Sequence, residues 1–535
     1  MEISQSEKNK YRILLVRPYF EMQENELVFL PFEPLGLEYL QAALLAEGQE
    51  VELYDSLAEH PRNVRYLPEK DLYHCGAQDQ HIIAKIKKFK PDIVGISGMF
   101  YAQSESFNHV AQLVKKISKT TLVVGGGSFP SSYQANVLVE NKNLDIIIFG
   151  EGEETMIDLI RNLGDLTKVK GICFRGADGE IICNEPRPTN INLDKIKFPH
   201  RNFSKIYNYS KPVGYNYSKK FNFKKFVKSS ILYSALSIPG VRNLFAGAFN
   251  WRHKNRPKSV FMPCGFMITS RGCPNHCTFC AIHKVWGNVY RMRSSQNVLD
   301  EMDLLVKHGV KEIAIVDDNF TVSRNRTIEI CRGIIERGYQ IRLLTPSGVF
   351  VPSLDKEVLE YLYKAGLREL EFGVENGDQD FLDEVICKNL KLEKVKEIIK
   401  LAKEVGLRTR GFFIFGYPKE TKQTMLKTLR FAFESGMDAA RFYVFQPLPG
   451  TEAYRMAAEM QALDRDLDFS KLKVRTHAPV VATKDFSKED VMKIFNLSYD
   501  ILKERNYNKI KDKIPAILGW ETNPHTTAQS LLLLK

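Results

Sequence analysis

The sequence predicts an α/β protein built from two successive series of parallel strands and a helical end. Three observations predict it. Short Val/Ile/Leu-rich runs alternate with amphipathic stretches over residues 11–160, a second series of six such runs begins near residue 262, and after residue 450 the chain reads as helical and polar. Strands alternating with helical patterns mean parallel βαβ units. The first series therefore predicts a doubly wound, Rossmann-like sheet, and the second a partial (β/α)6 barrel rather than a closed eight-stranded one. At 535 residues the chain exceeds one ordinary core. We divide it into 10–165, a connector and insert at 166–260, the barrel at 261–450 and a helical region at 451–535.

The elements follow in order. "RILLVRP" is a strand, "PLGLEYLQAALLAEG" an amphipathic helix ending at Gly48, and "EVELYDS" a strand. "DQHIIAKIKKFK" is a helix with Asp79 expected as N-cap. "PDIVGISG", "TLVVGGG" and "LDIIIFG" are buried strands, with helices at "SESFNHVAQLVKKIS" and "EETMIDLIRNL". "GICFRGADGEIICNEP" reads as a β-hairpin turning at Asp178-Gly179. The barrel strands are expected near 265–270, 312–316, 341–344, 369–374, 409–415 and 440–446. "SKEDVMKIFNLSYDILKERN" is a helix, and the apolar tail "TAQSLLLLK" is expected to dock.

Composition narrows the function classes. With 44% hydrophobic and 26% charged residues the balance is that of a globular chain. No run of 18 apolar residues and no apolar leader appear, so a cytoplasmic location is expected. Nine cysteines, an odd count, fit a reducing compartment and thiol or metal chemistry better than a disulfide framework. The net charge of +12 is local: residues 201–260 hold 13 Lys and Arg and no acid. Nucleic acid is therefore not an expected partner. Within that insert Phe223, Phe226, Val227 and Ile231 fit one helical face among lysines. Such a segment, 219–238, could touch an anionic inner-membrane surface or lid a hydrophobic substrate, or be a solvated basic linker.

The chemistry lies in "RGCPNHCTFCAIHKVWG" at 271–287. Cys273, Cys277 and Cys280 fall within eight residues with no fourth partner. A four-iron cube usually takes four cysteines, so three leave one iron open. Zinc sites favour paired C-x2-C units with a second pair downstream, and no such second pair follows Cys277 and Cys280. Phe279 would shield the cluster. Trp286, Gly287 and Arg293 could line a pocket or pack in the core.

This C-x3-C-x-aromatic-C spacing after a first barrel strand resembles the signature of radical S-adenosylmethionine enzymes, over roughly 262–450. The resemblance implies a [4Fe-4S] cluster on the three cysteines. It implies S-adenosylmethionine on the open iron, cleaved to a 5′-deoxyadenosyl radical. It further places Asp317, Asp318 and Asn319 near the methionine amine, Glu375 on the ribose, Phe413 on the adenine, and "FQPLPGT" at 445–451 at the end of the sixth strand. Ahead of this, "PLGL" (Leu35, Gly36), "VGISG" (Ser97), "VVGGGSFP" (Gly125, Gly126, Gly127) and "FGEGEET" (Glu151, Gly152) fall at strand ends or helix starts. Glycine there lets backbone approach a ligand; a nucleotide site or a ligand-free domain gives the same pattern. In this position the set resembles the cobalamin-binding subclass of the family, the class B methylases, over about 10–165. The D-x-H-x-x-G string of many cobalamin domains is absent. The nearest match, Asp79-Gln80-His81-Ile82-Ile83-Ala84, lacks the Gly and opens a helix. We read His81 as an ordinary helix histidine and expect base-off cobalamin without a protein His ligand.

The resemblance implies a cobalamin-dependent methyltransferase that methylates an unactivated carbon of a small or lipid-like substrate, by way of methylcobalamin. It implies an electron donor such as flavodoxin or ferredoxin. No acid–base dyad stands out, so no catalytic side chain is assigned. The alternatives are a cyclase, oxidase or carbon–carbon coupling enzyme on a tetrapyrrole or lipid, and a non-catalytic cofactor carrier.

Overall fold

The computed structural model describes residues 10–23, 32–61, 63–203, 264–464, 467 and 478–520. The basic insert with its 219–238 face, and the tail "TAQSLLLLK", lie outside the described residues.

The first series folds as read. Strands β1 (Arg12–Arg17), β2 (Phe20–Met22), β3 (Glu50–Asp55), β4 (Val64–Leu67), β5 (Leu72–Cys75), β6 (Ile93–Ser97), β7 (Leu122–Gly126), β8 (Ile146–Ile148), β9 (Ile172–Arg175) and β10 (Ile181–Cys183) make two sheets. The large one runs β10-β9-β8-β7-β6-β1-β3. Its strands from β8 to β3 are parallel, and the order reverses between β1 and β6, the place where such sheets take ligands. Apolar residues bury both faces. Ile13 and Leu15 join one core cluster, and Leu14 and Val16 the other. Truncating one of them, as in Leu15→Ala, costs about 2–5 kcal/mol.

Helices α1 (Leu35–Ala46) and α4 (Gly152–Arg161) cover the first face; α2 (Asp79–Phe89) and α3 (Ser104–Ile117) cover the second. Asp79 is not the cap of α2. Gln78 caps it, and the His81 ring accepts from the Gln78 backbone N–H in return. Position decides this: the chain is already helical at Asp79, and only Gln78 has the extended backbone of a cap.

The small antiparallel sheet β2-β5-β4 was not expected. The hairpin β9–β10 forms at Gly179 (φ +88°) and pairs onto the large sheet, although its residues read as a connector. Cys173 and Cys183 face each other across it and are joined by a disulfide, with Cα atoms 4.0 Å apart. The expectation of thiols without a disulfide is thus corrected for this pair: direct cross-strand register brings two side chains within bonding reach.

The second series gives β11 (Cys264–Met267), β12 (Ser270–Arg271), β13 (Arg291–Met292), β14 (Glu312–Ile315), β15 (Arg342–Leu344), β16 (Glu369–Glu375), β17 (Arg408–Phe415) and β18 (Ala439–Val444). β11-β14-β15 and β16-β17-β18 are parallel, and a Leu343–Leu367 bridge joins them into a six-stranded arc. The first barrel strand, expected at 265–270, is split into β11 and the two-residue ladder of β12 with β13. Helices α5 (His283–Trp286), α6 (Ser295–Lys307), α7 (Arg324–Glu336), α8 (Lys356–Lys364), α9 (Leu392–Val405) and α10 (Lys422–Glu434) lie between strands. α11 (Lys488–Glu504) starts in a Ser487–Asp490 capping box and docks on β18 through Tyr499, whose hydroxyl donates to Phe442 O at 3.1 Å. No helix among the described residues is long and apolar enough to cross a membrane.

Candidate functional site

The cysteine loop leaves β12 at a turn only glycine makes easily. Gly272 has φ +87°, and a Cβ there would meet Val289 O at 2.7 Å. The loop then closes on itself: Cys280 N donates to Cys277 O at 3.0 Å, and His283 Nε2 lies 2.8 Å from Asn275 O. Thr278 ties it to the barrel, its N–H donating to Ile386 O and its hydroxyl bonding to Tyr417. Phe279 packs edge-on against Tyr417 on the partly buried side. Asn319 Nδ2 donates to Cys273 Sγ at 2.9 Å.

Burial pushes all three thiols up, Cys277 to about 12 and Cys280 to about 11. Free thiols here are protonated at neutral pH, so taking up metal must release protons. Among the described residues no three His, Cys, Asp or Glu side chains converge on a single-ion site. A multi-iron cluster, with its own iron for each thiolate, needs no such convergence.

Sequence reasoning missed Lys388. Burial alone would depress its ammonium, but Glu375, and the neighbouring cysteines once ionised to thiolates, more than offset it and hold it above the usual value. It pairs with Glu375 Oε1 at 2.8 Å. Glu375 ends β16 beyond a bulge, with φ +69°, a costly conformation for a residue with a side chain. Lys388 belongs to no motif and follows a helical turn; only the folded loop brings it beside the cysteines.

The other strand ends divide. Asp318 accepts from Gly272 N at 3.2 Å and faces the loop. Asp317 is spent on structure: it accepts from Thr269 N, Thr269 Oγ1 and Ser270 Oγ. Phe413 is also corrected. It is fully buried, stacked on Phe442 and edge-on to Phe431 of α10, in the helix-facing core. Strand alternation puts its neighbours Phe412 and Ile414 on the opposite, barrel-facing side. Buried polar atoms without partners mark three more edge positions: Asn275 Oδ1, Thr345 Oγ1 and Gln446 Oε1. Arg293 pairs with buried Glu301 and donates to Ile268 O, which makes it core structure. Gly287, with φ +72°, ends α5.

In the front domain a Cβ on Gly36 or Gly152 would meet nothing within 4 Å, and on Gly126 nothing nearer than 3.8 Å. These positions present open backbone. Gly125 and Gly127 are glycines for packing. A Cβ on Gly125 would strike Phe107 and Ile147 at 2.6 Å, and one on Gly127 the Gly98 O at 2.5 Å. Leu35 is buried and Ser97 half-buried, at the ends of α1 and β6. His81 stacks on His60 at 4.0 Å. Glu151 is corrected: rather than lining an open site, it pairs with Arg271 and Arg291 of the barrel. The two edges are continuous. Leu448 packs on the front-domain core, and a Cβ on Gly450 would come within 3.2 Å of Ser132 O.

Known proteins match this arrangement. Residues 267–432 match the radical SAM superfamily and residues 28–160 the B12 binding domain. The chain is 29% identical over 485 residues to the cytidylyl-2-hydroxyethylphosphonate methyltransferase of Streptomyces wedmorensis, covering 85% of this chain and 83% of that one. It is 27% identical over 498 residues to the anaerobic magnesium-protoporphyrin IX monomethyl ester cyclase of Cereibacter sphaeroides, covering 90% and 68%. The solved radical S-adenosylmethionine methyltransferase TsrM from Kitasatospora setae, with cobalamin and a [4Fe-4S] cluster bound, superposes with a TM-score of 0.61 at 16% identity, covering 88% and 82%. One chain thus carries a B12 binding domain followed by a radical SAM domain, the pair expected of cobalamin-binding radical S-adenosylmethionine enzymes.

Proposed function

We propose that the chain is a cobalamin-dependent radical S-adenosylmethionine methyltransferase acting on an unactivated carbon of a small-molecule substrate. The carrying observation is the three-thiol loop, whose preceding residue Arg271 is fixed by an ion pair to Glu151, next to the open backbone of Gly152 in the front domain. When bound, the cluster and S-adenosylmethionine supply one-electron chemistry, and cobalamin supplies a transferable methyl group.

The residues fit those groups. Cys273, Cys277 and Cys280 would hold three irons, with the amide of Asn319 donating to the first sulfur. Lys388 puts a buried positive charge beside them, offsetting thiolate charge at low dielectric. Glu375, Asp318 and the unpartnered Thr345 Oγ1 and Gln446 Oε1 would orient S-adenosylmethionine or substrate at the barrel mouth. Tyr417, Phe279 and Phe445 form an aromatic wall that keeps water from the loop. Gly36, Gly126 and Gly152 would let backbone lie close to cobalamin, with Ser97 beside them.

A small redox protein such as flavodoxin or ferredoxin would supply electrons. A cytoplasmic setting, membrane contact through 219–238 and a lipid-like substrate remain parts of this proposal that rest on sequence.

Anaerobic refilling with iron, sulfide and hydroxocobalamin, followed by S-adenosylmethionine and dithionite as the electron source, tests it. A four-iron spectrum and 5′-deoxyadenosine are expected, and both should vanish when the three cysteines become alanine. Their persistence in that variant would sink the proposal. The cyclase relative favours a second reading, ring closure without methyl transfer. Product mass from a cell extract decides: a gain of one methylene supports methylation.

A further inference from the structure

A buried charge cluster links the two domains. Arg271 ends β12, and only Gly272 separates it from Cys273. Its side chain, in a residue 3% exposed, pairs with Glu151 Oε2 and, at 2.5 Å, with Glu153 Oε1. The guanidinium also lies 4.9 Å from the Trp286 ring and 5.6 Å from that of Tyr39. Arg291 stands directly opposite Arg271 in the β12–β13 ladder, and it reaches Glu151 Oε1 at 2.6 Å.

Two guanidiniums across one antiparallel rung repel, and neither is exposed enough to be relieved by water. The carboxylates that neutralise them come from the front domain, at the start of α4. Burial works against the charge on Glu153, yet Arg271 holds its carboxyl below the usual range. Each end of the cluster adjoins a cofactor edge. Gly152, with its open backbone, lies between Glu151 and Glu153, and Cys273 is two residues from Arg271. The route from one site to the other through this clamp is two side chains and a single ion pair, Glu153 to Arg271.

We infer that Arg271, clamped with Arg291 to Glu151 and Glu153, sets the spacing of the two cofactor sites and is a positioning residue for the transfer between them. The inference rests on the function proposed above.

The full chain, refilled with iron, sulfide and hydroxocobalamin and then reduced with dithionite so that cobalt(II) and the reduced cluster both carry unpaired electrons, tests it in wild type and Glu153→Gln. Three quantities are read: iron and cobalamin content, 5′-deoxyadenosine formed from S-adenosylmethionine, and the cobalt-to-cluster distance distribution by pulsed electron paramagnetic resonance. The variant is expected to keep both cofactors and to form 5′-deoxyadenosine, with a longer mean distance and a wider distribution. An unchanged distribution overturns the inference, as does loss of cobalamin alone with the cluster kept, because the clamp then serves binding and not spacing. Should Glu153→Gln fail to fold, Glu153→Asp keeps the charge and withdraws the carboxylate by one methylene. The same shift is expected there, and a wild-type distribution overturns the inference. A wild type that loads only one cofactor overturns the proposed function instead.

Discussion

The front sheet and the barrel prepare their ligand edges in opposite ways. The front edge is bare backbone: Gly36, Gly126 and Gly152 offer space and amides, and no side chain reaches out from them. The barrel edge is side-chain chemistry: three thiols, the Lys388–Glu375 pair, Asp318 and unpartnered polar atoms. Backbone suits a large, pre-shaped ligand held by fit, whereas side chains suit groups that must be ligated or charge-balanced. The two edges should therefore fail independently.

The largest effect tests that independence. Cys277→Ala is expected to abolish the four-iron absorption while cobalamin binding stays at the wild-type level. Loss of both would mean the edges are not separable. Next, Lys388→Met leaves the largely buried Glu375 without its partner, so it should cost up to about 3 kcal/mol by urea unfolding of the unloaded chain. Lys388→Arg should recover much of that.

On the front edge the two kinds of glycine should part. Gly127→Ala puts a Cβ onto Gly98 O at a positive φ and should lower stability by about 1–3 kcal/mol. Gly126→Ala puts its Cβ at ordinary contact distance, so its melting temperature should barely move while cobalamin affinity falls. Equal effects on stability would erase the distinction.

The smallest effect is a slope. Burial, and then the charge of Asp317, raise Asp318 to about 7. The folded chain keeps a proton there that the unfolded chain releases near 3.8. Its contribution to stability is complete below the unfolded value and is lost as pH rises through about 7. Asp318→Asn keeps an acceptor for Gly272 N–H without that titration. Unfolding midpoints of the unloaded variant should thus fall less between about pH 4 and 7 than those of wild type.

Much of this was legible in the sequence, for reasons of length and period. Runs such as "RILLV", "DIVGIS" and "RTRGFFIF" are long enough for burial to fix their type, and their strands lie within a residue or two of expectation. The sheet of β2, β4 and β5 was illegible because "FEM", "VRYL" and "LYHC" are too short and mixed to show a period. The cysteine loop was legible as a local spacing. Phe413 was misplaced because adjacent aromatics at 412 and 413 do not reveal which parity faces the barrel. Glu151 was misread because its partners, Arg271 and Arg291, lie more than a hundred residues away. Lys388 was missed because it belongs to no motif and only the fold brings it beside the cysteines; its ion-pair partner Glu375 is 13 residues away.

The Cys173–Cys183 staple has a practical consequence for thiol chemistry. Of the nine cysteines, two are spent on each other and three would be covered by iron in the loaded enzyme. Cys75, Cys264 and Cys331 are buried, which leaves Cys387 alone at the surface, next in sequence to Lys388. An alkylating fluorophore added to the native holoenzyme should mark that one position rapidly, giving a single-site optical reporter beside the cluster without engineering.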